Sequence, residues 1–178
     1  MISTDSLFHL GVLSSEVHVQ WSLVVGGTLE DRPRYNKGQV FDPFPFPDAT
    51  PEQRAAIAEI AEELDATRKA ALAENERLTM TELYNLREAI RFGAPSDEDV
   101  ARRARNARAG IVDQLHKRLD AEVAAAYGWG DEWKRGDLPP AEIVARLVAL
   151  NATRAAEEAA GTVRWLRPEY QVARFGGN

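Results

Sequence analysis

The chain has 178 residues, of which 44% are hydrophobic, so it is long enough to bury one sizeable core. Its net charge of −6 argues against a protein that coats nucleic acid, although a local basic patch is compatible with that balance. The absence of cysteine excludes disulfides, thiolate zinc sites and cysteine nucleophiles, and the three scattered histidines do not favour a histidine-rich metal site.

The first predicted element is a helix over residues 5–25, because apolar residues recur there at helical spacing. Gly11 and the pair Ser14-Ser15 weaken this pattern and predict a break or kink. Gly26-Gly27 should end the helix, since glycine readily takes the left-handed conformation that closes helices. Residues 28–47 are predicted to be irregular or short-stranded and form the least helical part of the chain.

A segment rich in proline and phenylalanine, residues 41–47, is named here the Pro/Phe strap. It contains three prolines and three phenylalanines in seven residues. Because proline restricts φ and lacks a backbone N–H, this segment should be neither a helix nor a central strand. We expect it to be extended and semi-rigid, to present aromatic rings, and to hold one module at a fixed angle to another.

Two capping boxes predict helix starts after the strap. Thr50 with Gln53 predicts an amphipathic helix of about six turns. Thr79 with Glu82 repeats the pattern and predicts a short helix that ends before Pro95.

The next predicted helix starts at Ser96 with Asp99 and carries an apolar stripe to Val123. Gly110 is the position at which this helix is expected to divide into two pieces. Residues 127–130, with the sequence Tyr-Gly-Trp-Gly, are predicted to form a turn.

The last predicted helix opens at Pro139-Pro140 and closes at Gly161. The tail that follows, residues 163–170, is expected to be extended and rich in aromatic and basic side chains. The predicted fold class is therefore mainly α: a mixed module in residues 1–47, joined by the strap to a unit of four or five helices with its tail in residues 48–178.

Few side chains suggest catalysis. Ser14-Ser15 lies near His18 only in sequence, whereas a catalytic triad is assembled in space. The carboxylates of Glu62-Glu63 and of Glu157-Glu158 leave their helices in different directions, which favours solvated faces over acid–base pairs. His116 lies beside an apolar stripe, so a packing role is favoured over a catalytic one. We therefore predict no catalytic residue and no metal site.

Two segments are better suited to binding. Arg34, Tyr35, Asn36 and Lys37 combine cations with hydrogen-bonding groups, a set that can hold phosphates, although a polar surface loop is the favoured simpler interpretation. In the tail, Arg164 and Arg167 either contact a strand of nucleic acid or dock the C-terminus, and the sequence does not decide between these roles.

The order of several short segments resembles one family. These segments are Leu10-Gly11-Val12-Leu13-Ser14-Ser15, His18, Trp21, Gly26-Gly27, Arg34-Tyr35-Asn36-Lys37 and the Pro/Phe strap. Together they resemble the late target-recognition segment of class I S-adenosylmethionine-dependent DNA methyltransferases of the MmeI-like restriction–modification group. Downstream segments such as Tyr127-Gly128-Trp129 resemble the C-terminal region of the same family, so the resemblance covers nearly the whole chain.

Two motifs of that family are missing from the chain. The family binds its methyl donor through a glycine-rich loop after a strand and holds the flipped target base with an Asn-Pro-Pro-aromatic motif. Asp42-Pro43-Phe44 is only superficially similar to the second motif. Since base flipping needs a closed pocket beside the donor, the resemblance implies a C-terminal portion that binds no S-adenosylmethionine itself, from a truncated or split frame or from an enzyme whose catalytic half is a separate polypeptide.

The leading hypothesis is a DNA-recognition and helical C-terminal portion of a DNA methyltransferase that acts on adenine and binds duplex DNA. The expected DNA contacts come from the residues listed here: Arg34, Tyr35, Asn36, Lys37, Ser14, Ser15, His18, Arg164 and Arg167. One alternative is a helical protein-interaction module without direct DNA binding, which the acidic balance favours; another is a decayed fragment without a function. No apolar run is long enough to cross a bilayer and no secretory signal is present, so a soluble, cytoplasmic protein is expected.

Overall fold

The computed structural model describes residues 6–29, 32–91, 93 and 96–164, with only the backbone described at 28–29 and 32–33. The elements in chain order are α1 (Leu7–Ser14), α2 (Glu16–Val25), β1 (Thr28–Leu29), β2 (Arg32–Pro33), a π-helical turn (Lys37–Phe41), α3 (Pro51–Glu74), α4 (Met80–Arg91), α5 (Glu98–Asn106), α6 (Ala109–Ala126), α7 (Gly130–Arg135) and α8 (Pro140–Ala159). The two short strands pair antiparallel, Thr28 with Pro33 and Leu29 with Arg32. The predicted mainly α class is confirmed.

The predicted N-terminal helix is broken at Ser15, as the serine pair indicated. Ser15 is extended, with φ −80° and ψ 158°, and separates α1 from α2. The glycine pair ends α2 as predicted: Gly26 follows Val25, and Gly27 takes φ +64°. Gly11, by contrast, lies inside α1, where it allows close packing against α3.

Both predicted capping boxes are present. The Thr50 N–H donates to Gln53 Oε1 at 2.9 Å, and the Gln53 N–H donates to Thr50 Oγ1 at 3.3 Å. The Thr79 N–H donates to Glu82 Oε2 at 3.0 Å, and the Glu82 N–H donates to Thr79 Oγ1 at 3.2 Å. These reciprocal bonds satisfy backbone donors that a helix N-terminus leaves unpaired.

The start predicted for the next helix was wrong by one residue. Asp97, rather than Ser96, caps α5, because its Oδ1 accepts from the N–H groups of Asp99 at 2.8 Å and Val100 at 3.3 Å. The positive end of the helix dipole also stabilises a carboxylate at this position.

The predicted division of this helix at Gly110 was also wrong. The chain breaks before α6 at Arg108, which takes the left-handed conformation with φ 56°, whereas Gly110 lies inside α6. An arginine at positive φ has no signal in the sequence. This break, together with α7 directly after the turn at 127–129, gives six described helices after the strap instead of four or five.

One hydrophobic cluster joins the elements on both sides of the strap. It includes Val12 of α1, Trp21 of α2, Leu64 of α3, Leu119 of α6 and Leu147 of α8. In this arrangement α1 packs on α3, and α2 packs on α8. The division into residues 1–47 and 48–178 stays a prediction.

The Pro/Phe strap is extended only from Phe44, since Phe41 ends the π-helical turn. Its rings are not presented to solvent as expected: Phe44 and Phe46 are each 4% exposed and meet edge to face with centroids 5.0 Å apart. The Tyr127 hydroxyl donates to the Pro45 carbonyl at 2.8 Å. The strap is therefore part of the core, because the rings gain more from burial than from exposure to water.

None of the helices that the structure describes is long and apolar enough to span a bilayer.

Candidate nucleic-acid interface

The segment at residues 34–37 lies on the surface between β2 and the π-helical turn. Arg34 and Lys37 are exposed, and Tyr35 is 47% exposed. The Arg34 N–H donates to the Gly27 carbonyl at 3.1 Å, and the Arg34 carbonyl lies where a Cβ on Gly26 would clash with it. The backbone of this segment is thus held against the end of α2, while its two cations are accessible to solvent.

Asn36 has a structural role at the start of the π-helical turn. Its Oδ1 accepts from the Gln39 N–H at 2.7 Å, and its Nδ2 donates to Gln39 Oε1 at 2.6 Å. Both polar atoms of its side chain are therefore engaged. An Asx cap of this kind orients the neighbouring cations.

Lys37 pairs with Asp42 through Nζ, at 2.7 and 2.9 Å from the two carboxylate oxygens. The side chains are 67% and 47% exposed. Exposed ion pairs contribute little free energy, so Lys37 can exchange this partner for a phosphate at small cost. Among the described residues no ion pair engages Arg34, which leaves its guanidinium accessible.

His18 lies beneath Tyr35. The His18 Nε2 and the Tyr35 hydroxyl are 3.1 Å apart, and the His18 ring meets Phe44 edge to face at 4.4 Å. Burial lowers the pKa of His18 to about 4, so the imidazole is neutral at neutral pH and carries no charge for a phosphate. His18 supports Tyr35 instead, and burial raises the pKa of that phenol.

The serine pair is divided between surface and core. Ser14 is partly exposed at the end of α1, whereas Ser15 is fully buried and its hydroxyl donates to the Val12 carbonyl at 2.7 Å. Ser15 and His18 are therefore packed at the junction of α1, α2 and the loop, and their predicted contact with DNA stays a prediction.

Arg164 binds two carboxylates of its own chain. Its guanidinium donates to Asp48 at 3.0 and 3.1 Å, and to Glu157 at 2.7 and 3.1 Å. These contacts join the end of the described chain to α8 and to the residue that follows the strap. The other predicted tail contact, Arg167, lies outside the described residues.

A second polar cluster was not predicted from the sequence. It lies in a cleft between α2 and α4, and its members are Arg68, Tyr84, Arg87, Arg91 and His116. The signal was present in α4, where three of these residues recur at spacings i, i+3 and i+7 and so share one face. Among the described residues no group of three or more histidines and carboxylates is arranged to hold a metal ion.

Comparison with known proteins gives similarities over different parts of the chain. Residues 1–48 match the family model described as the target recognition domain of MmeI. DNA methyltransferase A of Bacillus subtilis (strain 168) is 35% identical over 86 residues, which are 48% of this chain and 9% of that protein.

A solved structure shares the fold. The structure of the Type IIL restriction–modification enzyme MmeI in complex with DNA matches with a TM-score of 0.59 and 22% identity, over 87% of this chain and 17% of that chain. At this identity the match shows a common fold. The chain thus spans less than a fifth of either relative, at 9% and 17%.

Proposed function

We propose that this chain, which carries an MmeI-like recognition region, is the DNA-recognition and helical C-terminal portion of a restriction–modification DNA methyltransferase. We further infer that the target base is adenine and that the chain does not catalyse methyl transfer alone. The observation that carries this proposal is the match of residues 1–48 to a target-recognition family, because that segment contains the exposed cations at 34–37.

The proposed DNA contacts start from Arg34 and Lys37. Both are exposed cations on a backbone that neighbouring elements hold in place, and such cations position a protein on the phosphate backbone. The half-exposed Tyr35, oriented by His18, supplies a hydroxyl and a ring beside them. Asn36 caps the π-helical turn and so orients these side chains. The partly exposed Ser14 is proposed as a further contact with the DNA backbone.

The remaining parts of the enzyme would come from another polypeptide or another part of a longer one. The methyl donor of the family, S-adenosylmethionine, would then bind to that part, because this sequence lacks the glycine-rich loop and the Asn-Pro-Pro motif. The role of this chain is to bring the duplex to that catalytic part.

The test is the salt dependence of duplex binding, measured by fluorescence anisotropy with a pool of short duplexes of randomised sequence. Arg34→Gln and Lys37→Gln should each weaken binding and reduce the slope of log affinity against log salt by about 0.9, because each removes one phosphate contact. The measurement runs between about 50 and 200 mM salt, where such contacts change affinity steeply.

Matched controls are Arg105→Gln and Lys134→Gln, which remove exposed cations of α5 and α7. Binding by these variants should equal that of the unmodified chain. Equal losses in all four variants would indicate general electrostatic attraction and contradict an interface at 34–37. Absence of duplex binding by the unmodified chain would contradict the proposed function.

A second candidate function is a helical protein-interaction module without direct DNA binding. It is favoured by an apolar stripe on α2, where Val19 is 38% exposed, Leu23 is 49% exposed and Val24 is 61% exposed. This candidate predicts no salt-dependent duplex binding, and concentration-dependent association that Leu23→Ser and Val24→Ser reduce.

A further inference from the structure

The cleft between α2 and α4 has two unlike walls. Val19 and Leu23 of α2 form an apolar wall, and Arg68 of α3 with Tyr84 and Arg87 of α4 forms a polar one. The cleft has a volume of about 440 Å³, which is large enough for a small ligand group. Two carboxylates, of Glu16 and Glu88, also line the cleft. Each has another partner, because Glu16 Oε1 accepts from Gln20 Nε2 at 2.6 Å and Glu88 Oε2 lies 3.7 Å from Arg91 Nη1.

Arg68 has no carboxylate partner among the residues that the structure describes. Its Nη1 donates to the Tyr84 hydroxyl at 3.0 Å, while its Nε is buried without any acceptor there. Arg68 as a whole is partly exposed, but buried polar atoms such as its Nε are normally hydrogen-bonded in proteins. The guanidinium of Arg68 therefore has donors in excess of the acceptors around it.

The groups next to Arg68 do not supply the missing negative charge. The Tyr84 hydroxyl lies 2.8 Å from His116 Nε2. Burial, together with the nearby cations of Arg87 and Arg68, lowers the pKa of His116 to about 3. A second proton on His116 is thus disfavoured, so the imidazole adds a dipole beside Arg68 but no charge.

Among the described residues Arg87 forms an ion pair with one carboxylate, that of Asp113, which it shares with Lys117. Its Nε lies 3.2 Å from Asp113 Oδ1, while the Nζ of Lys117 lies 2.7 Å from the other oxygen of the same carboxylate. The Arg87 and Asp113 side chains are 12% and 8% exposed, so this pair is held firmly. The bond uses Nε and leaves the forked end of the guanidinium available for a second acceptor.

We propose that this cleft is a binding site for a phosphoryl group, held by Arg68 and Arg87 with the Tyr84 hydroxyl beside them. An anion with several oxygens accepts from two guanidinium groups on different helices, and arginine forks match that geometry. The phosphoryl group is proposed to be a backbone phosphodiester of bound DNA, which the chain would contact here as well as at residues 34–37. This identification of the ligand rests on the proposed function.

The experiment first uses inorganic phosphate as the probe, at constant ionic strength with chloride as the reference salt. Phosphate should raise the thermal midpoint of the full chain in a saturable way, because a ligand that binds only the folded state stabilises it. Arg68→Gln should weaken phosphate binding by about tenfold or more, since a charge-assisted hydrogen bond is lost. Arg118→Gln, at an exposed pair with Glu63, is the matched control and should leave phosphate binding unchanged.

The second measurement uses the randomised duplexes. If the site holds DNA, Arg68→Gln also lowers the salt slope by about 0.9, and phosphate competes with the duplex. If phosphate binding is lost in Arg68→Gln while duplex binding is unchanged, DNA is overturned as the source and a free phosphorylated compound is the ligand. If phosphate has no saturable effect on the unmodified chain, the site itself is overturned, whatever the result for Arg34 and Lys37.

Two further variants separate binding from folding. Tyr84→Phe retains the ring and removes the hydroxyl, and Arg68→Lys retains the charge and removes the fork. Both should weaken phosphate binding while preserving the cooperative unfolding of the chain. If both variants fold and bind phosphate as the unmodified chain does, the proposal is overturned. Phosphate binding with no duplex binding at all would overturn the proposed function and leave the phosphate site standing.

Discussion

Three buried titratable side chains, His18, His116 and Asp120, should make the stability of the fold depend on pH. Burial lowers the pKa of His18 to about 4 and, with nearby arginines, that of His116 to about 3. Burial raises the pKa of Asp120 to about 6, against the opposing hydrogen bond that its Oδ1 accepts from the Glu16 N–H at 2.7 Å. The sequence predicted a packing role for His116, but it did not predict that His18 is buried, because burial depends on the strap that covers it.

The histidines should make the fold sensitive to acid. Each has a pKa below its ordinary value of 6.5 in the folded state, so as the pH falls below 6.5 the unfolded chain takes up protons that the folded chain does not. Each therefore lowers the free energy of unfolding by up to about 1.4 kcal/mol per pH unit. His116→Gln should make this loss shallower, as measured by urea unfolding between about pH 7 and pH 5.

Asp120→Asn is the control of opposite sign. The folded pKa of Asp120 lies above its ordinary value of 3.8, so this group contributes stability that is fully present below that value and is lost as the pH rises through about 6. Replacing it should steepen the loss of stability on acidification. An unchanged pH dependence in both variants would contradict the assigned protonation states.

At the scale of elements, the contact between α1 and α3 depends on Gly11. A Cβ built on Gly11 would lie 2.6 Å from Ile57 Cγ2 and 3.2 Å from Ala61 Cβ, and Ile57 is fully buried. From the sequence, Gly11 was predicted to weaken the helical pattern and to allow a break or kink. The structure shows a close approach of two helices, and such a contact between residues far apart in the chain has no local pattern.

Gly11→Ala should destabilise the chain by about 1–3 kcal/mol, because the added methyl group overpacks a buried contact. The control is Gly110→Ala in α6, where the nearest atom to an added Cβ is Ile90 Cδ1 at 3.9 Å. That substitution should be neutral or stabilise by up to about 1 kcal/mol through helix propensity. Urea unfolding measures both, and equal effects would show that α1 does not pack on α3 as described.

Among the features of the helices, the N-termini of α3 and α4 were predicted best from the sequence. Both capping boxes could be identified because the residues that bond to one another lie three apart. The break at Arg108 and the short helix α7 were missed, since they depend on the packing of α6 against α5 and α7 rather than on a local motif.

At the scale of the whole molecule, the strap connects the elements of residues 6–41 to α3 and lies in the core. Phe44 and Phe46 are buried, and Tyr127, at the end of α6, donates to the Pro45 carbonyl. Directly after the strap, Asp48 accepts a hydrogen bond from Arg164, and its Oδ1 lies 3.5 Å from Arg154 Nη2. These contacts hold the strap and the residue after it against α6, α8 and Arg164; the role of the strap in setting an angle between two modules stays a prediction.

The purified chain should not transfer methyl groups alone. Incubation with duplex DNA and labelled S-adenosylmethionine should give no label in the DNA, because the motifs that bind the donor and the flipped base are missing from the sequence. A full-length MmeI-like methyltransferase serves as the positive control. Donor-dependent labelling by the purified chain would overturn the assignment of a recognition portion.

The sequence by itself determined the mainly α class, the two capped helices, the glycine end of α2 and the resemblance to a recognition segment. Each of these depends only on residues close together in the chain or on the order of short segments. Only the tertiary structure decided that Ser15 and His18 are buried, that the strap rings belong to the core, and that Arg68 meets Tyr84 and Arg87 in one cleft. Those outcomes depend on which helices pack together, and burial of apolar surface selects that packing over the whole chain at once.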